Sequence, residues 1–236
     1  MANWFSQKSI PFLSFVSITG IIVGLVMLEP DMGTAMVILG TVMAMYFCTK
    51  VRIWQFLLFI PAILLAIIGL AITSPYRLTR LMTYFNSKQD PLGASYQIRQ
   101  ALIAIGSGGI FGVGLGKSRQ KYEYLPEANT DSIFAILAEE AGFIGSMIFL
   151  SIIGLLIWRG FWIAKRTPDE YGRFVVIGII SWLSIQSLFN LSSMVSLMPL
   201  TGIPLPFISY GGSSLVIAMA AVGIVLNISK YSTGKV

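Results

Sequence analysis

Between Arg173 and Lys230 the chain carries no charged residue. That stretch is too long for a single helix, and too apolar to be the surface of a soluble domain. Three prolines (Pro199, Pro204, Pro206) and three glycines (Gly202, Gly211, Gly212) divide it, so it reads as two membrane spans, near 174–197 and 211–229, joined by an irregular segment. Such a segment is tolerated at membrane depth only where protein buries it or where it lines a cavity. Composition agrees: 56% of residues are hydrophobic, 11% are charged and the mean hydropathy is +0.80, against roughly 45–50% apolar and about 25% charged in a soluble domain.

Uncharged runs place the other spans near 9–28, 32–49, 53–76 and 131–158, each close to the roughly 20 residues that a crossing requires. The expected fold is an all-α polytopic membrane protein, a single transmembrane domain over 1–236 with about six helices and a long extracytoplasmic loop over 77–130. The first run is too long for a signal-peptide core, and no small-residue cleavage site follows it.

The absence of histidine excludes imidazole acid–base chemistry, His triads and His metal sites, and the lone Cys48 excludes an intrachain disulfide and a cysteine cluster. The net charge of +6 is a matter of topology rather than of nucleic acid. Lys8, Lys50, Arg52, Arg159, Lys165, Arg166, Arg173, Lys230 and Lys235 all fall on one side of the span pattern, which the positive-inside rule makes cytoplasmic. The long outer loop is also basic, with Arg77, Arg80, Lys88, Arg99, Lys117, Arg119 and Lys121. Either solubility or an anionic lipid or phosphate accounts for them. Within this loop, residues 96–105 have helical apolar spacing and predict a helix at the membrane surface. The glycine-rich 106–116 ends Gly116-Lys117-Ser118, yet Phe111 stands where a phosphate loop requires glycine, and no nucleotide fingerprint fits.

Carboxylates in or beside spans are costly and are functional candidates by default. Asp131 heads the fourth span, as an N-cap or as a base at the outer surface. Glu139 and Glu140 lie inside the span. On a continuous helix Glu139 is about 80° around from Asp131 and about 12 Å further on, while Glu140 is nearly opposite. Glu139 therefore either shares a cavity with Asp131 or pairs with a polar group of another helix. Glu29 and Asp31 mark the junction of the first two spans. The segment PLTGIPLPFISYGGSS (199–214) offers hydroxyls, among them Ser209, Tyr210 and Ser213, and backbone groups to a ligand. A purely structural turn is the alternative.

Four stretches together resemble one family: EPDMGTA (29–35), YQIRQALIAIGSGGIFGVGLGKSRQKYEYLPEANTDSIFAILAEEAGFIG (96–145), LMPLTGIPLPFISYGGSSL (197–215) and GIVLNISK (223–230). They are similar to the SEDS peptidoglycan glycosyltransferases, the FtsW, RodA and SpoVE group, with wording nearest the FtsW and SpoVE branch. The resemblance implies a ten-helix fold, of which this chain corresponds to the last six helices. Glu29 departs from the glutamine usual before Pro-Asp. The resemblance further implies polymerisation of lipid II at the outer face of the bacterial cytoplasmic membrane, in division, elongation or sporulation. Asp131 falls on the family's proposed catalytic aspartate. It implies an undecaprenyl pyrophosphate leaving group, for which Arg77, Arg80, Lys117, Arg119 and Lys121 are on the correct side. Glu139, Ser209, Tyr210 and Ser213 are further candidates for substrate binding. A divalent cation (Mg or Mn) would be able to bridge pyrophosphate and Asp131, although no dedicated metal motif is present. Expected partners are a class B penicillin-binding protein and other divisome or elongasome membrane proteins. A lipid II flippase and a non-catalytic scaffold are the competing functions.

Overall fold

The computed structural model describes residues 12–29, 31–49, 94–123 and 130–232. The expected third span (53–76), Arg77, Arg80, Lys88 and the LPEAN run of the long loop lie outside the described residues. Among the described residues all regular structure is helical: α1 Phe12–Leu28, α2 Met32–Phe47, α3 Ala94–Ser107, α4 Gln120–Glu123, α5 Ile133–Arg166, α6 Glu170–Met194 and α7 Gly212–Ser232. Three of them, α5, α6 and α7, are long and apolar enough to cross a membrane, and α1 and α2 are shorter apolar helices.

Local chemistry sets the helix ends. Asp31 caps α2, accepting from the Thr34 amide at 3.0 Å and the Thr34 hydroxyl at 2.5 Å. Asp169 caps α6, accepting from the Gly172 amide at 2.6 Å. Thr167, Pro168 and Asp169 form the whole connection between α5 and α6, so these two helices are antiparallel neighbours. Proline there cannot continue α5.

Helix α6 is the central element. It packs on α2, α3, α5 and α7, and 50% of its most apolar window is buried, against 11% for α5 and 17% for α7. One core joins Phe15, Val42, Met45, Tyr46, Ile177, Ile180 and Val225, with Phe15 and Tyr46 stacked at 4.3 Å. A second joins Ala101 and Ala104 of α3 to Phe134 and Ala135 of α5, together with Met194, Leu200 and Leu205. The outward faces of α5 and α7 keep Phe143, Ile148, Ile152, Val216 and Met219 exposed, as lipid-facing surfaces do.

The two ends of the bundle differ in chemistry. Arg159 and Arg166 stack on Trp162 at 4.5 and 3.8 Å from the ring centre. Arg173 pairs with Glu170 at 3.6 Å and acts electrostatically on Cys48 at the end of α2. A methyl group on Gly172 would lie 3.6 Å from the side chain of Ile228 in α7. This basic end is the cytoplasmic one. The starts of α2, α5 and α7 and the finish of α6 therefore gather at the opposite, outer end.

Helix α5 is not continuous. Gly142 is non-helical inside it, at φ 69° and ψ −166°. Residues 143–166 alone run about 36 Å at 1.5 Å per residue, enough for a hydrocarbon core of about 30 Å. Glu139 and Glu140 are therefore not on one continuous helix with the rest of the span, as their expected placement assumed. They belong to the shorter helical piece over 133–141, on the outer side of the break.

Candidate active site

Asp131 lies in the turn before α5 and is partly exposed. Of its two expected roles, the N-cap position falls instead to Ser132, whose side chain makes no capping bond. The buried Ser132 hydroxyl instead accepts from Gln97 Nε2 of α3 at 3.0 Å.

Two side chains fasten this turn to the irregular segment after α6, and a third ties that segment to α6 itself. Asn190 Nδ2 donates to the carbonyls of both Asp131 and Ile203, each at 2.8 Å. Ser209 Oγ donates to the Thr130 carbonyl at 2.6 Å and accepts from the Leu205 amide at 2.7 Å. Gln186 Nε2, one turn before Asn190 on α6, donates to the Pro204 carbonyl at 2.8 Å. The segment so held is non-helical and has Phe207 at φ 69°, yet Ile203, Leu205 and Pro206 are buried. Its Ile203 and Pro204 carbonyls are satisfied by side chains of α6, and its Leu205 amide by Ser209, which helps irregular chain to be buried there.

Glycines allow the close approach. Gly202 has φ 70°, and a methyl group there would stand 3.6 Å from Asp131 Oδ2. A methyl group on Gly33 would stand 2.6 Å from the Thr201 carbonyl oxygen and 2.7 Å from Ile203. Residues 31–33 and the TDSIFA and TGIPLPFIS stretches thus meet at the outer end of the bundle, with Asp131 at the junction.

Glu139 does not share Asp131's surroundings. Its carboxylate is buried and both oxygens are used: Oε2 accepts from Ser118 Oγ at 2.5 Å and Oε1 from the Arg119 amide at 3.2 Å. Of the two readings of Glu139, a cavity shared with Asp131 or a polar partner elsewhere, the structure has the carboxylate in internal contact with the loop over 108–119, which folds back against α5. Lys117, Arg119 and Lys121 are exposed, and the Lys121 amide donates to Ser118 Oγ at 3.1 Å. Ser209 is at the Asp131 turn. Tyr210 and Ser213 are exposed at the start of α7, and no hydrogen bond joins them to that turn. Among the described residues no group of three or more Asp, Glu or Cys is placed to hold a metal ion.

Asn190, Gln186 and Gln97 escaped the reading of the sequence, which followed ionisable groups. The available signal was amide side chains four residues apart, Gln186 and Asn190, on one face of an uncharged helix. A buried amide requires partners, and here those partners are the carbonyls of the site.

An all-helical bundle with an apolar exterior, a basic cytoplasmic end and a carboxylate, Asp131, at its outer end defines a multi-pass membrane protein. The chain belongs to the FtsW/RodA/SpoVE family, described as "Cell cycle protein", whose profile matches residues 2–234. It is 46% identical over 239 residues to stage V sporulation protein E of Bacillus subtilis, covering 98% of this chain and 65% of that protein. It is 44% identical over 225 residues to the probable peptidoglycan glycosyltransferase FtsW of Coxiella burnetii, covering 94% of this chain and 60% of that one. The chain thus spans somewhat under two thirds of these relatives' length. Among solved structures it matches a chain of a peptidoglycan synthase complex, from work on the coordination of polymerization and crosslinking, at a TM-score of 0.79 and 28% identity over 99% of this chain and 67% of that one. It also matches the rod shape determining protein RodA of Thermus thermophilus at a TM-score of 0.63 and 29% identity, over 99% of this chain and 62% of that one.

Proposed function

We propose that this site is that of a peptidoglycan glycosyltransferase that polymerises lipid II at the outer face of the membrane. The observation that carries the reading is the placement of Asp131: a partly exposed carboxylate whose main chain is anchored by Asn190 to the segment after α6, at the outer end of the bundle. Relatives named as probable peptidoglycan glycosyltransferases support the same activity.

The chemistry follows from the group. An acceptor sugar hydroxyl attacks the anomeric carbon of the donor and Asp131 takes its proton. The bond from that carbon to the pyrophosphate oxygen breaks, and undecaprenyl pyrophosphate leaves with the electron pair. One direct displacement inverts the anomeric configuration, with no covalent enzyme intermediate. Lys117, Arg119 and Lys121, with Arg77 and Arg80, supply cations for the charge developing on the leaving group. A Mg or Mn ion carried by the pyrophosphate would add to that neutralisation.

A class B penicillin-binding protein is the proposed partner, supported by the similarity to a chain of a complex that joins polymerisation to crosslinking. Against a flippase, the Glu139 oxygens are both engaged within the protein. The test is polymerisation of labelled lipid II by the purified chain with its partner, alone and extended to its relatives' full length, comparing wild type with Asp131→Ala. Loss of glycan on substitution supports the proposal. Undiminished product removes Asp131 as the base, and no product from the extended wild type favours flippase or scaffold.

A further inference from the structure

The mechanism leaves one buried carboxylate unused. Glu139 is 3% exposed, and Ser118, which it holds, is 2% exposed. On either side of Ser118 the chain carries exposed cations, Lys117 and Arg119, with Lys121 one turn further. Buried and exposed positions therefore alternate along 117–119, and the single buried side chain is the one gripped by Glu139. Neither Lys117 nor Arg119 has an ion pair among the described residues. Glu139 thus meets this segment through a hydroxyl and a main-chain amide, and leaves the Lys117 and Arg119 head groups unneutralised.

The backbone reinforces the attachment. The amides of Val113 and Gly114 donate to the carbonyls of Glu139 and Glu140 at 3.0 and 3.1 Å, and the amides of Phe143 and Ile144 donate to Gly109 and Ile110 at 2.9 and 3.2 Å. The break at Gly142 frees the α5 groups used in these bonds. A methyl group on Gly112 or Gly142 would lie 2.1 or 2.2 Å from the opposing backbone, so only glycine admits the two segments so close.

We propose that Glu139 is a positioning residue: through Ser118 Oγ and the Arg119 amide it fixes Lys117, Arg119 and Lys121 as a preformed cationic edge for a pyrophosphate headgroup. The inference deepens the glycosyltransferase reading and rests on it for the identity of the headgroup. A pinned segment loses less freedom on binding an anion than a free one, so the effect falls on affinity. Glutamine at 139 has one carboxamide oxygen for two donors, and alanine at 118 removes one donor. Each change breaks one charge-assisted contact and leaves the three cations in place.

The experiment uses the chain with its partner in detergent and compares wild type, Glu139→Gln and Ser118→Ala. Binding of undecaprenyl pyrophosphate, the KM and kcat of polymerisation, and trypsin cleavage after Lys117, Arg119 and Lys121 are read in parallel. The expected result in both variants is an affinity about tenfold weaker, about 1.4 kcal/mol. KM rises with it, kcat stays within about twofold, and trypsin cuts the segment faster. Ser118→Ala keeps Glu139 itself, so it decides the matter if Glu139→Gln fails to fold. Unchanged affinity, or unchanged cleavage, overturns the proposal. A fall in kcat at constant affinity also overturns it and gives Glu139 a part in the reaction. Wild type that binds the pyrophosphate without making glycan removes the glycosyltransferase reading and leaves the positioning role standing.

Discussion

Replacing Asn190 by leucine tests whether the Asp131 turn must be tied to the segment after α6. Asn190 is 1% exposed, and its Nδ2 is the shared donor to the Asp131 and Ile203 carbonyls. Leucine is close in volume, so the change removes two hydrogen bonds with little cavity. Each buried carbonyl left without a donor costs about 1–3 kcal/mol. Part is returned, because Asn190 Oδ1 is itself buried without a partner and leucine removes it. The net loss is about 1–3 kcal/mol, confined to two backbone segments that are both at the outer end. A bundle whose core runs through α2, α6 and α7 survives that. The proposed base, Asp131, does not keep its place, and displacement of a reacting group by about 1 Å costs about 100-fold. The assay is single-turnover glycan formation from labelled lipid II, beside thermal unfolding in detergent. The expected outcome is kcat lowered about 10- to 100-fold with a modest fall in melting temperature. A variant that folds and turns over within threefold of wild type would refute the reasoning, since the tie would then be dispensable to Asp131.

Other outcomes follow from the same geometry. Gly33→Ala should destabilise and inactivate, because its methyl group meets the Thr201 carbonyl at 2.6 Å, whereas Gly20→Ala, with open space around it, should be neutral or slightly stabilising; thermal unfolding of both variants checks this. Gly142→Ala should prevent accumulation of folded protein, since it combines φ 69° with a 2.2 Å approach to the Gly112 amide; yield of monodisperse protein after membrane extraction is the measure. Chelation by EDTA should slow glycan synthesis only to the extent that the ion travels with the donor, and added Mg or Mn should restore it without changing the melting temperature of substrate-free protein.

Much of the fold was legible because bilayer thickness and charge are properties of residues in order. Uncharged runs marked the helices, and the basic residues now seen at one end of the bundle marked the cytoplasmic face. Asp31 and Asp169 cap helices through contacts three residues away, and such contacts are within a sequence's own horizon. The break at Gly142 was not. Nothing in AEEAGFIG distinguishes a glycine inside a helix from one that reverses its backbone. That outcome depends on the 108–114 loop, which lies about thirty residues earlier and supplies the opposing hydrogen bonds.

The sequence by itself determined that this is a multi-pass membrane protein with a carboxylate, Asp131, at the head of a span, because apolar length, charge sidedness and the cost of an acid in lipid are each local. Only the tertiary structure decided what the other polar groups do. Glu139 turned from a candidate for Asp131's cavity into the anchor of Ser118 and Arg119, and Asn190, silent in an uncharged run, became the tie between Asp131 and Ile203. Both results come from partners distant along the chain: a hydrogen bond forms where the packed helices bring donor and acceptor within about 3 Å, and spacing in sequence carries no record of that meeting.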